Sequence, residues 1–376
     1  MKSATEITAE TVQLPQELII EILLKLPVKS LFRFKCVCKS WLSLICDPHF
    51  ALSHYDHLSA ARTCRLVLLA PSASEFRSMD LDASILDDSA SAALNLSFLP
   101  SFPQPRYNIK IMGSCRGFLL LECHSNLYMW NPSTHVHKQI SLRVNAMFFR
   151  FLYGFGYDPS TDDYLVLLGT CDPNSVDWVT RVELYSLRAD TWEQIEDTYL
   201  SYVNASVDFR LGTLFNGAIH WLAFRHDVSV KLIVAFDLSE RSFSEIPLPD
   251  DFNHNYYFCD LRVLGGFLSL SVVGIDNEPT EIWVMQEYKV KSSWTKTIVV
   301  STDDIPTQYF FPLCSTKCGD IVGRNGFTGL LKCDDKGQVK EHRSYCDNPL
   351  GFQVAVYTES LLSLPSHNSQ QASSRR

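Results

Sequence analysis

No apolar run in this chain approaches the roughly 20 residues that a membrane-crossing helix requires, so the sequence predicts no helical span. Basic charge is also short: 33 Lys and Arg stand against 42 Asp and Glu, a net charge of −9. That balance excludes a general binder of nucleic acid or of anionic membranes, both of which need a basic surface. Met1 to Glu10 lack the basic-then-apolar order of a secretory leader. A reducing compartment, cytoplasmic and/or nuclear, is therefore expected. The motifs of common chemistries are missing too. Gly154-Phe155-Gly156 has no third glycine and no strand-to-helix setting, and there is neither a phosphate loop nor a Gly-x-Ser-x-Gly elbow.

Cysteine is not scarce, but its spacing is wrong for metal. Cys314 and Cys318 lie four apart while Cys333 and Cys346 are separated by thirteen, and a structural zinc site wants close pairs at both ends. Cys36, Cys38, Cys46 and Cys259 sit in apolar runs, where free cysteine acts as a small buried hydrophobe. His135 and His137 would share one face of a strand but lack a third ligand. Asp162-Asp163 and Asp334-Asp335 follow turns without a calcium-loop pattern. The expectation is a non-enzyme, with no catalytic residue, metal or cofactor.

What is present begins with a helical segment. From Gln13 to Phe50, Pro15 stands where a first-turn proline is tolerated, and Ile19, Ile22, Leu23 and Leu26 follow at i, i+3, i+4 and i+7. Pro27 ends that helix. A second stripe, Phe34, Val37, Cys38 and Trp41, repeats the spacing before the turn signal Asp47-Pro48. Leu18, Ile20, Leu24, Leu31, Phe32 and Leu42 are apolar as well and exceed what a module of about 40 residues hides by itself. The surplus has to be covered by the rest of the chain or by a partner. Lys25, Lys29, Arg33, Lys35 and Lys39 occur with no acid between them, either a solvated face or a rim suited to an acidic partner.

Leu14-Pro15, Ile22-Leu23, Leu26-Pro27, Ser30-Leu31 and the run from Phe34 to Trp41 resemble an F-box of the plant type. The resemblance implies a small helical bundle, taken as three helices, that docks on the Skp-type adaptor of a cullin-based ubiquitin ligase. It makes Leu14, Pro15, Ile22, Leu26, Pro27, Leu31, Val37 and Trp41 the candidates for adaptor contact or its direct support.

From Arg65 the texture changes to short alternating or apolar runs separated by turn residues, the pattern of an all-β domain, with a stretch rich in Ser, Ala and Asp at Pro71 to Gln104 that is expected to hold a loop. Glycine precedes an apolar run at Gly117, Gly217, Gly266 and Gly319, with separations of 100, 49 and 53, and Asp163-Tyr164-Leu165 fills the missing slot. Trp130, Tyr185 and Phe236 each lie seven residues before His137, Trp192 and Phe243, and Trp294 extends the second series. A period near 50 predicts a β-propeller of kelch-like blades, about six, with five or seven still open. The run from Phe352 to Tyr357 is placed to pair with Arg65 to Leu69 and close the ring. The repeated aromatics are read as blade packing. Tyr256, Tyr257 and Phe258 are candidates for target capture, with core packing the competing reading.

Gly154 to Tyr164, Gly217 to Trp221, Glu281 to Tyr288 and Ser293 to Lys296 also resemble the kelch-like F-box-associated domain found behind plant F-boxes. The whole then reads as an α+β multidomain chain: a disordered N-terminus at 1–12, an F-box at 13–58, a connector with the first propeller strands at 59–104, the propeller at 105–363 and a disordered tail at 364–376. The function this implies is substrate recognition for a Skp-cullin-F-box ligase, with the adaptor, through it cullin, and an unknown target protein as partners. The alternative is a propeller binding or structural protein that works without a ligase.

Overall fold

The structure is a computed structural model that describes residues 14–61, 63–70, 75–99, 109–124, 126–142, 149–171, 180–195, 202–204, 211–225, 230–250, 252, 258–274, 278–303, 305, 307–326, 328–345 and 352–365. Residues 1–12, and 366–376 of the expected tail, lie outside them.

Among the described residues four helices come first, one more than expected: α1 (Gln16–Leu24), α2 (Val28–Phe34), α3 (Lys39–Ile45) and α4 (Pro48–Ala60). Proline sets the first boundaries, since Pro15 and Pro27 immediately precede α1 and α2 in extended conformation. The second stripe is not one helix. Lys35 to Val37 form a turn, and extended Cys38 starts α3 by accepting the Trp41 amide on its Sγ at 3.5 Å. Asp47-Pro48 opens a helix instead of closing the segment. The Asp47 carboxylate accepts the amides of His49 at 2.8 Å and Phe50 at 3.1 Å, and Pro48 occupies the first turn, where its missing N–H costs nothing.

Six antiparallel sheets follow. The first holds β1 (Arg65–Ala70), β2 (Glu75–Asp80) and β3 (Ser91–Leu94), with β2 and β3 inside the stretch expected to hold a loop. The second has β4 (Ile109–Cys115), β5 (Phe118–Cys123), β6 (Asn126–Trp130) and β7 (His137–Ser141). The third has β8 (Phe149–Asp158), β9 (Asp163–Cys171), β10 (Thr180–Ser186) and β11 (Thr191–Gln194). In the fourth, β12 (Tyr202–Asn204) and β13 (Thr213–Phe215) both pair with β14 (Ala218–Arg225), followed by β15 (Val230–Asp237) and β16 (Ser242–Ile246). The fifth has β17 (Phe258–Leu264), β18 (Phe267–Val273), β19 (Thr280–Met285) and β20 (Trp294–Val300). The sixth has β21 (Phe310–Ser315), β22 (Ile321–Asn325), β23 (Gly329–Cys333) and β24 (Val339–Ser344). Then β25 (Gln353–Tyr357) returns to pair with β1, from Arg65 opposite Tyr357 to Leu69 opposite Gln353, and closes the ring as the sequence predicts.

Both repeated sequence signals have a structural meaning. Residues seven apart are opposed across the outer hairpin of a blade: Trp130 faces His137, Tyr185 faces Trp192 and Phe236 faces Phe243. The glycines make the inner hairpins. Arg116-Gly117, Asn216-Gly217 and Gly265-Gly266 have φ of 48° and 83°, 47° and 75°, and 61° and 92°. Two successive positive φ values are what a two-residue turn of the primed type demands.

Among the described residues no β-ladder joins the first strands of neighbouring blades; a lone parallel bridge from Tyr153 to Leu211 and several side chains connect them instead. Ser114 donates to the Val356 carbonyl at 2.6 Å, Thr213 to Leu261 at 2.7 Å, and Gln353 joins Ile111 N–H and the Ile109 carbonyl, each at 2.9 Å. Farther out, Trp192 and Trp294 donate their indole N–H to Ser141 and Pro247 carbonyls of the preceding blade, at 3.0 and 3.2 Å. The segments that carry the resemblance meet one another. Trp221 donates to the Tyr153 carbonyl at 3.0 Å, and a Cβ at Gly154 would come within 2.8 Å of Ile219. His220 shares a 2.8 Å hydrogen bond with the Tyr288 hydroxyl.

Candidate docking surfaces

The helical module buries Leu23, Val28, Leu31, Ile45, Phe50, Ala51 and Leu58, continuous with propeller residues such as Met112, Cys115 and Phe118. Inside it, His54 Nε2 donates at 2.8 Å to the Leu26 carbonyl, just past the end of α1, where the chain has left the helix and the Ser30 amide bonds Pro27 instead. Burial lowers the His54 pKa, with the Leu26 bond opposing, which favours the neutral ring. Where helices meet propeller, the Arg116 guanidinium lies 3.7 Å from the Tyr157 ring centre and 5.7 Å from that of Tyr55 on α4.

What stays outside this core is unusual. Leu14, Leu18, Ile22, Val37, Leu42 and Leu52 are 54, 45, 52, 60, 44 and 38 % exposed, six of the ten exposed large apolar residues among the described ones. Leu14, Leu18 and Ile22 recur every four residues, one stripe along α1 and its approach. Exposed apolar side chains concentrated in so short a segment mark an interaction surface.

The eight candidates for this surface divide accordingly. Leu14, Pro15, Ile22, Pro27 and Val37 are exposed, Leu26 and Trp41 are half-buried, and Leu31 is sealed, so it supports the module from within. Trp41 meets the Phe34 ring edge-on with centroids 5.3 Å apart. Leu18 and Leu42, counted in the surplus but not among the candidates, belong to the exposed set. For Leu18 the four-residue spacing from Ile22 was the available signal; Leu42 had none. Of the basic residues, Lys25, Lys29, Arg33 and Lys39 are exposed, and Lys35 lies 4.5 Å over the Phe32 ring.

Three of the four cysteines expected in the core are not there. Cys36, Cys38 and Cys46 are exposed and only Cys259 is buried, because the first three occupy the turns and ends of short helices. His135 and His137 are not on one strand: His135 sits in the preceding turn at φ 62°, and His137 stacks on Phe98 with centroids 4.5 Å apart. Asp334 accepts the amides of Lys336 and Gln338 and shapes a hairpin turn. Among the described residues no group of three His, Cys, Asp or Glu is placed to hold a metal ion.

On the propeller, Tyr256 and Tyr257 lie outside the described residues. Phe258 is half-buried and packs edge-on against Tyr309 and Phe311, with centroids 5.8 and 6.4 Å away. These residues stand at or next to the starts of β17 and β21. The helices approach the other end, since Ser59 of α4 and the Gly265-Gly266 turn border one channel. The seven residues of β17 put roughly 20 Å between the two ends.

Comparison with known proteins decides the family. The F-box associated beta propeller domain matches residues 67–344 and the F-box domain residues 12–51. This chain is an F-box protein with an F-box associated propeller. An F-box/kelch-repeat protein of Arabidopsis thaliana is 30 % identical over 293 residues, 76 % of this chain and 79 % of the relative. The F-box protein CPR1 of the same plant is 30 % identical over 312 residues, covering 76 % and 73 %. A further Arabidopsis F-box protein is 29 % identical over 345 residues, 87 % and 85 %. Family models thus match both the helices and the propeller of this F-box protein, and these relatives cover three quarters or more of its chain.

Proposed function

We propose that this chain is the substrate-receptor subunit of a Skp-cullin-F-box ubiquitin ligase. The observation that carries the reading is the apolar surface of Leu14, Leu18, Ile22, Val37 and Leu42, left open although the same helices bury a full core against the propeller. A Skp-type adaptor would cover it, and the exposed Lys25, Lys29, Arg33 and Lys39 beside it suit an acidic partner. The propeller end around Phe258 and Tyr309 is opposite the end that the helices border and is where a target protein would be held. The chain would supply no bond-making group. Its contribution is to hold target and ubiquitin-charged enzyme in one assembly, converting a bimolecular encounter into a nearly intramolecular one.

Co-expression with a Skp-type adaptor tests this. The two proteins should co-purify, and Ile22→Asp with Val37→Asp should abolish co-purification while the propeller keeps its melting transition. A folded chain that never retains adaptor would support a propeller binding protein working without a ligase.

A further inference from the structure

The first strands of the blades enclose a channel of about 810 Å³, within the range of small-molecule sites. Its wall is mainly apolar, with half-buried Leu214, Val263 and Val356 facing the space. The wall hydroxyls of Ser114 and Thr213 already donate to neighbouring blades. In a chain of net charge −9, the described residues lining the channel include two arginines, Arg116 and Arg262, and no Asp, Glu or Lys.

Those arginines come from the second and fifth of six blades, opposite one another in the ring, and both stand near the inner hairpin turns at the helical end. Arg262 Nη2 pairs with Asp260 at 2.8 Å. Arg116 is different. Its neighbours are the rings of Tyr157, Tyr55 and Tyr164 and the Cys115 thiol, and none of them is a carboxylate. A partly desolvated guanidinium against tyrosine faces, opening on an apolar space, is a strong donor for an anion.

We propose that the helical end of the channel binds a small organic anion, its carboxylate on Arg116 with Arg262 opposite and its apolar body on Leu214, Val263 and Val356. This site is independent of adaptor docking and of the target surface.

The test uses the purified full chain, with benzoate as probe, benzamide as its uncharged counterpart and inorganic phosphate as an anion without an apolar body. Calorimetric titration should show saturable benzoate binding and markedly weaker binding of the other two. Arg116→Gln should weaken benzoate about tenfold, the scale of a hydrogen bond to a charged group. Asn216→Asp puts a carboxylate on the same wall, at a positive φ that Asp tolerates, and should weaken benzoate severalfold while sparing the fold. If Arg116→Gln fails to fold, Asn216→Asp decides. The proposal is overturned by absent benzoate binding, by equal binding of benzamide or phosphate, or by folded variants that bind as the parent does.

Discussion

Two leucine-sized side chains, Ile22 on α1 and Leu31 on α2, have opposite fates, 52 % exposed against fully buried. Leu31→Ala should cost about 2–5 kcal/mol by urea denaturation, the usual range for emptying a core position. Ile22→Ala should change stability by about 0.5 kcal/mol or less while weakening adaptor binding. Periodicity did not separate them, because α1 and α2 are each apolar on more than one face and only tertiary packing selects which face is covered. Histidine was harder still to read. His220 donates Nδ1–H to the Thr213 carbonyl at 3.2 Å and accepts the Tyr288 hydroxyl on Nε2, and burial pushes its pKa down from 6.5 to about 4. The folded state therefore resists a proton that the unfolded chain accepts. The contribution is complete above pH 6.5 and is lost as pH falls toward 4, up to roughly 3 kcal/mol. Urea titrations at pH 7.5 and 5 should show that loss, with His54 acting in the same direction, and His220→Gln should flatten the dependence.

At the scale of elements, the legible features were those that local geometry repeats. Aromatics seven apart became opposed pairs of outer hairpins, and glycines ahead of apolar runs became primed turns, because both are fixed within a few residues. The fourth helix was missed because an aspartate followed by proline signals a turn and a helix start equally well. Strands β2 and β3 were not marked out individually, because a Ser, Ala and Asp-rich stretch shows no strand pattern of its own until its partners are known. The closing strand was found from its apolar run alone. It joins the two ends of the propeller, so a chain ending at residue 350 would leave Leu66 to Leu69 without their β25 partner. Circular dichroism of that truncated chain should show the cooperative melt lost or lowered by well over 10 °C, since several buried residues and a full ladder go together. An unchanged melt would mean that the ring does not depend on this closure.

For the whole molecule, the helices are fastened to one end of the propeller, while the half-buried aromatics Phe258 and Tyr309 stand toward the other. Continuous packing from Leu23 and Phe50 to Phe118 joins the parts, so adaptor and target surfaces would be held at a set separation. Sequence pattern showed that the helices carry more apolar surface than they hide, but not which side chains remained outside. Hydroxyl-radical footprinting with and without a Skp-type adaptor tests the account most directly. It predicts strong adaptor-dependent protection at Leu14, Leu18, Ile22, Val37 and Leu42, with Phe267 and Val299, exposed on the propeller, unchanged. Protection of the propeller residues with the helical set still fully reactive would contradict it.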